Sequence, residues 1–100
     1  MVTGLFNQGD LTVRVLVERT FHISGRGPVI AGLLLEGEVS SGDLLVVEET
    51  RSTLRVRGLE MHLPQPEGGR RVGLLVRPED APKVSVGSTL ISPPARPPED

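Results

Sequence analysis

The stretch Phe21–Gly32, FHISGRGPVIAG, places three glycines and a proline between two hydrophobic runs. So much backbone freedom at one point suits a phosphate-binding loop or a corner between strands. A phosphate cradle needs a strand, a glycine loop and then a helix N-terminus. Here the loop runs into VIAGLLL, Val29–Leu35, which reads as a strand with two apolar faces. On the other side, LTVRVLV (Leu11–Val17) sets Leu11, Val13, Val15 and Val17 against Thr12, Arg14 and Leu16. That period of two is a strand with one buried face. With the cradle disfavoured, Gly25 and Gly27 suit a corner between strands or a binding lip, because glycine reaches positive φ without steric cost.

The rest of the chain keeps this short-strand rhythm. EGEVSSGD is a turn-rich connection, and Leu44–Glu48 a third strand. Thr53–Met61 reads as one strand in which Leu54 and Val56 share a face and the phase slips at Gly58, the mark of a bulge. LPQPEGG is a loop, and VGLLVR (Val72–Arg77) a further strand. PEDAPKV can hold one helical turn before GSTLIS forms a short last strand. No segment sustains a 3.6-residue apolar period, so six or so strands with Gly/Pro turns argue an all-β barrel or sandwich. The expected division is an N-terminal segment 1–10, one β domain 11–92, and a tail 93–100, PPARPPED, whose four prolines suit an extended or disordered end.

Composition narrows the function classes. The chain has 100 residues, 37% hydrophobic and 24% charged, which fits one globular domain. No run approaches the roughly 20 apolar residues of a membrane helix. MVTGLFNQGD lacks the layout of a signal peptide, so the cytoplasm is the expected location. No cysteine is present, which excludes disulfides and thiolate metal sites. Net charge is −2, whereas non-specific nucleic-acid binders depend on a basic excess. The basic residues are ten arginines and Lys83 alone.

Taken together, several motifs resemble a known family. Phe21, Ile23, Gly25, Gly27, Val29 and Gly32 form F-x-I-x-G-x-G-x-V-x-x-G. G-x-V-x-x-G-D follows at Gly37, Val39, Gly42 and Asp43, then RVRGLEMH (Arg55–His62), RRVGLLVR (Arg70–Arg77) and VGSTL (Val86–Leu90). In this order and spacing they resemble the second domain of elongation factor Tu and related translational GTPases, over roughly residues 11 to 92. The resemblance implies a closed six-stranded Greek-key β-barrel. Full proteins of that family carry a GTPase domain, but this chain has no G-x-x-x-x-G-K-[ST] stretch and no room for one. Nucleotide hydrolysis is therefore not expected of it. Met1 and the proline-rich end suggest a stand-alone barrel.

The resemblance also implies a pocket at Glu18, Arg19, Phe21, Ala31 and Arg71, where the family helps hold the aminoacyl end of tRNA. Glu18 and Phe21 match. Arg19 stands where the family has an acid, Ala31 replaces a threonine and Arg71 an asparagine. Two added guanidinium groups oppose binding of a cationic α-amino group, so that role is not expected to persist. Arg19 and Arg71 could instead receive a carboxylate or phosphate. The simpler reading, preferred on sequence, pairs Arg19 with Glu18 or another acid and leaves Arg71 solvated.

Other candidates carry less. His22 and His62 would need to converge with carboxylates such as Glu60 to bind a metal, and no metal or other cofactor is expected. Ser24, Ser40 and Ser41 lie in turn sequence, and Glu48 and Glu49 point to opposite faces of a strand. With no catalytic constellation, an enzyme is not expected. In the second strand, alternation turns Ile30 and Leu34 inward and Val29, Leu33 and Leu35 outward, with Leu75 adding to the outer stripe. The family commonly places charge at the positions of Leu33 and Leu35. An outward apolar stripe marks a contact surface, unless Val2, Leu5 and Phe6 of the N-terminal segment fold over it. The expected function is thus a non-catalytic binding module, with a protein partner or a second copy on that stripe. The alternative is an RNA- or tRNA-associated module, in which Arg14, Arg55, Arg57, Arg70 and Arg71 form a basic stripe. Having only two phenylalanines weakens that alternative, because single strands are gripped by stacking.

Overall fold

The glycine-rich corner closes a long hairpin. In the computed structural model, which describes residues 12–93, strand β1 (Arg14–Ile23) pairs antiparallel with β2 (Gly27–Glu36). The turn between them is tied by the Arg26 amide donating to the Ile23 carbonyl at 2.9 Å. Gly25 and Gly27 hold φ of 83° and 111°, the left-handed conformations expected of them. The hairpin is longer than the hydrophobic pattern alone defines, since β1 continues through polar residues to Ile23.

Five further strands complete a single antiparallel sheet: β3 (Leu44–Val47), β4 (Thr53–Arg55), β5 (Gly58–Glu60), β6 (Arg71–Leu75) and β7 (Thr89–Ile91). Their order is β4-β3-β7-β1-β2-β6-β5. The helical turn expected in PEDAPKV is a 3-10 turn at Ala81–Lys83. The fold is all-β, with seven strands rather than six, because Thr53–Met61 is divided into β4 and β5. These two strands form opposite edges of the sheet, and no ladder of hydrogen bonds joins them. They are instead connected by Val56 and Arg57. The Val56 amide donates to the Asp43 carbonyl at 2.9 Å, and the Arg57 amide to the Leu75 carbonyl at 2.7 Å. One dipeptide thus hands the chain from the β3 side to the β6 side.

One face of the sheet holds the core. Val13, Val15 and Val17 alternate into it as expected, joined by Ile30, Leu45, Val47, Leu54, Val56, Leu74, Val76 and Leu90. All are aliphatic, so packing rests on β-branched and leucine side chains. Leu34 packs against this core from a half-buried position. Gly32 is required by close approach: a Cβ there would lie 2.4 Å from the Leu16 carbonyl oxygen and 2.8 Å from a Val15 methyl. The expectations for residues 1–10, for Leu11, for folding back of Val2, Leu5 and Phe6, and for the tail beyond Pro93 lie outside the described residues.

Candidate functional site

A bulge in β1 organises the outer face of the sheet. Val17 pairs with Gly32 and Arg19 with Ala31, which leaves Glu18 without a partner on β2. Such a bulge re-aims side chains. Glu18 reaches across the face to Arg71 at the start of β6. Arg71 Nε donates to Glu18 Oε1 at 2.7 Å and Nη2 donates to Oε2 at 3.3 Å, a two-pronged contact between partly buried groups. Arg71 Nη1 also donates to the Pro64 carbonyl. Gln65 fixes the Arg71 backbone, accepting its amide at 2.7 Å and donating to its carbonyl at 3.0 Å.

The electrostatics follow from these contacts. The Arg71 hydrogen bond holds the Glu18 carboxyl below its ordinary value of 4.5, against the opposing effect of burial and with help from the charges of Arg71 and Arg19. The same hydrogen bond raises Arg71. Arg19 stays exposed and lies over Phe21, its guanidinium carbon 5.3 Å from the ring centroid. The two side chains are two apart on one strand and share a face. Ala31, opposite Arg19, is buried and pairs with Gly73 of β6. Leu63 leans over Gly73, its Cδ1 3.0 Å from where a Cβ would be. The result is a small-residue floor beneath charged walls.

The five expected pocket residues therefore lie on one face of β1, β2 and β6, but their pairing differs from both sequence readings. Arg71 is taken by Glu18, so two free guanidinium groups do not face one anion. Arg19 is stacked on Phe21 rather than paired with Glu18. The expected apolar stripe is also reduced. Val29 and Leu75 face each other across β2 and β6 and both are buried. Leu33 is half-buried, and Leu35 is 52% exposed. Leu16, which alternation had placed with the polar residues of β1, sits beside Leu33. Sequence reading also missed the hold that Leu63, Pro64 and Gln65 exert on this face, because LPQPEGG carries no periodic signal.

Elsewhere the polar candidates disperse. His22 is exposed, and His62 is 91% exposed, its Nδ1 3.4 Å from Glu60. The Glu60 carboxyl is lowered chiefly by the His62 amide, against burial, with the charge of Arg26 assisting. No group of three His, Cys, Asp or Glu among the described residues is placed to hold a metal ion. Of the five arginines proposed as a basic stripe, Arg14 meets Glu36 and Glu48, Arg70 meets Glu38, and Arg71 meets Glu18. Arg55 donates to the Gly42 carbonyl.

Two solved structures share this arrangement of strands. A bacterial selenocysteine-specific elongation factor, EF-Sec, matches 84% of the chain at 33% identity, with a TM-score of 0.66. The apo form of translation elongation factor SelB from Methanococcus maripaludis matches 82% at 27% identity, with a TM-score of 0.64. The chain is a translation-factor-type domain. It spans only 15% and 18% of those two proteins. No family model matches it. No helix among the described residues is long and apolar enough to cross a membrane.

Proposed function

We propose that this translation-factor-type domain is a non-catalytic binding module of the cytoplasm, engaging a protein partner through the outer face of β1, β2 and β6. The observation that carries the reading is a juxtaposition. Leu33 pairs with Leu16 and with Arg71, so the fixed Glu18–Arg71 pair borders these leucines, with the Arg19–Phe21 stack further along β1 on one side and the exposed Leu35 further along β2 on the other. Apolar side chains beside an ordered polar border are the anatomy of a protein interface. Glu18, Glu60 and Asp80 are all held towards their charged forms by hydrogen-bonding partners, which does not suit them to act as general acids. A general acid at neutral pH needs the opposite shift. We read the strands as a closed Greek-key barrel over residues 11–92, supported by the two-residue step between the edge strands.

An RNA-binding module is the second reading. Arg19, Arg51, Arg55 and Arg57 are basic residues for which no salt bridge is found among the described residues, and this favours it. The acid pairing of Arg14, Arg70 and Arg71 and the net charge of −2 weigh against it. A photo-crosslinking amino acid at Phe21 or Leu35, with Val86 as an exposed control, tests both readings. Discrete protein adducts from Phe21 and Leu35 alone support the proposal. RNA adducts favour the second reading, and equal labelling from Val86 overturns both.

A further inference from the structure

A recess opens between β2, β5 and β6, separate from the stack on the outer face. Its volume is about 110 Å³, and its apolar lining is Leu34, Val39, Leu59, Met61 and Val72. Leu34, Leu59 and Val72 are half-buried and rest on the core, so the recess has a firm apolar floor. Met61 stands at its rim 70% exposed. A methionine there adapts its shape to an occupant. The space is below the roughly 150 Å³ of an apolar cavity that admits benzene, which suits one branched aliphatic side chain.

The polar groups around the recess are mostly committed. The Glu60 carboxylate is held by Arg26 at 2.7 Å and by the His62 amide at 3.0 Å. Gln65 is bonded to the Arg71 backbone, and the Arg71 guanidinium to Glu18. Arg70 differs. Its carbonyl is fixed by the Leu34 amide at 2.8 Å, which anchors the residue at the rim. Among the described residues its guanidinium meets Glu38 alone, at 3.7 Å, with side chains 57% and 79% exposed. A contact that long and that solvated is readily exchanged for another carboxylate.

We infer that this recess receives a leucine-like side chain of a partner peptide, with an adjacent acidic residue of that peptide on Arg70. The inference rests on the binding-module reading and names the chemistry of its partner. Apolar volume selects the aliphatic side chain, and Arg70 selects the acid beside it. A nucleic acid fits poorly, because the lining has no aromatic ring on which a base could stack.

The test uses methyl NMR of the full chain with three capped peptides: Ac-Glu-Leu-Asp-NH2, its uncharged counterpart Ac-Gln-Leu-Asn-NH2, and Ac-Glu-Ala-Asp-NH2. The acidic leucine peptide should shift the methyls of Met61, Leu34, Leu59 and Val72 saturably while leaving Val86 unmoved. The alanine peptide should bind more than about tenfold more weakly. The uncharged peptide should bind up to about fivefold more weakly, and Arg70→Ala should reduce binding of the acidic peptide by the same factor. Arg70 is exposed, so that variant keeps the fold. Unmoved Met61, or indifference to both the peptide charges and Arg70→Ala, would overturn the inference. So would a peptide-free contact of Met61 with the Phe6 ring, which would make the occupant the chain itself. Concentration-dependent Met61 shifts without peptide would make it a second copy. If crosslinks from Phe21 and Leu35 persist while these shifts fail, the module reading stands and the peptide recess does not.

Discussion

The carboxylate of Asp80 accepts the backbone amide of Arg55, Oδ2 lying 3.3 Å from the nitrogen. Beside it, Lys83 Nζ donates to the Thr53 carbonyl and to Asp80 Oδ1. Both backbone groups belong to β4, an edge strand. Side chains of the 3-10 turn therefore occupy positions that another strand would take, which protects an edge otherwise open to pairing. Asp80 is the buried charged residue among the described residues, at 2% exposure.

Asp80→Ala should accordingly cost about 2 kcal/mol, as for a charge-assisted hydrogen bond lost from a buried site. For a domain of this size that lowers Tm by roughly 8–16 °C. Burial works to raise the Asp80 carboxyl, but the Lys83 hydrogen bond, the Arg55 amide and the charges of Lys83 and Arg77 together hold it below 3.8. A depressed folded pKa means stability that is complete above 3.8 and lost as pH falls through the lower folded value. Asp80→Asn lacks that term. Thermal melts should show wild type above Asp80→Asn at neutral pH, with the two converging below pH 3.8. A constant gap across that range would refute the assignment.

Carboxyl NMR should find Glu18 titrating below 4.5, and Arg71→Ala should return it towards that value. The stability it contributes is likewise present above 4.5 and lost as pH falls through the folded value. An unchanged Glu18 titration in Arg71→Ala would mean the pair does not persist in solution.

Because Glu18 occupies Arg71, phosphate should stabilise the wild type no more than chloride does at equal ionic strength. Glu18→Ala frees the guanidinium beside Arg19 and should create a phosphate-specific rise in Tm. Adding Arg71→Ala should remove it. A phosphate-specific rise already present in the wild type would show that the arginines act as an anion pair despite Glu18.

Gly32→Ala and Gly25→Ala separate two uses of glycine. A methyl at Gly32 strikes the Leu16 carbonyl and the Val15 side chain, both fixed in the core hairpin. Its cost should reach or exceed the upper end of the roughly 1–3 kcal/mol typical of overpacking. A methyl at Gly25 meets nothing within 4 Å and pays only for φ of +83°, about 1–2 kcal/mol. Chemical denaturation ranks them, and equal midpoints would contradict the close approach.

Much of the fold was legible because period-two alternation and turn glycines are local signals. Val13, Val15 and Val17 point inward, Gly25 and Gly27 turn the hairpin, and Leu54 and Val56 are buried together. A bulge was expected at Gly58, where the structure instead passes from β4 to β5, and the β1–β2 ladder slips at Glu18 and again at Leu35. Glu18, Arg19 and Thr20 are all polar, so a slip of phase among them leaves no hydrophobic trace. Val29 and Leu75 show a second limit: alternation tells which face a residue takes, not whether that face is covered. The Glu18–Arg71 contact spans 53 residues of chain, a separation that no local pattern reports. The sequence did not single out Asp80, because the backbone amide it accepts belongs to β4, 25 residues away.

The most direct test of the binding-module account is the native mass of the chain in extract from its own cells. Size-exclusion of the tagged full-length chain should place it in a complex well above its own 10.7 kDa. That complex should survive ribonuclease, and Leu35→Glu should return the chain to the monomer position without unfolding it. A chain that elutes as a monomer in extract, or whose complex is unchanged by Leu35→Glu, would contradict the account.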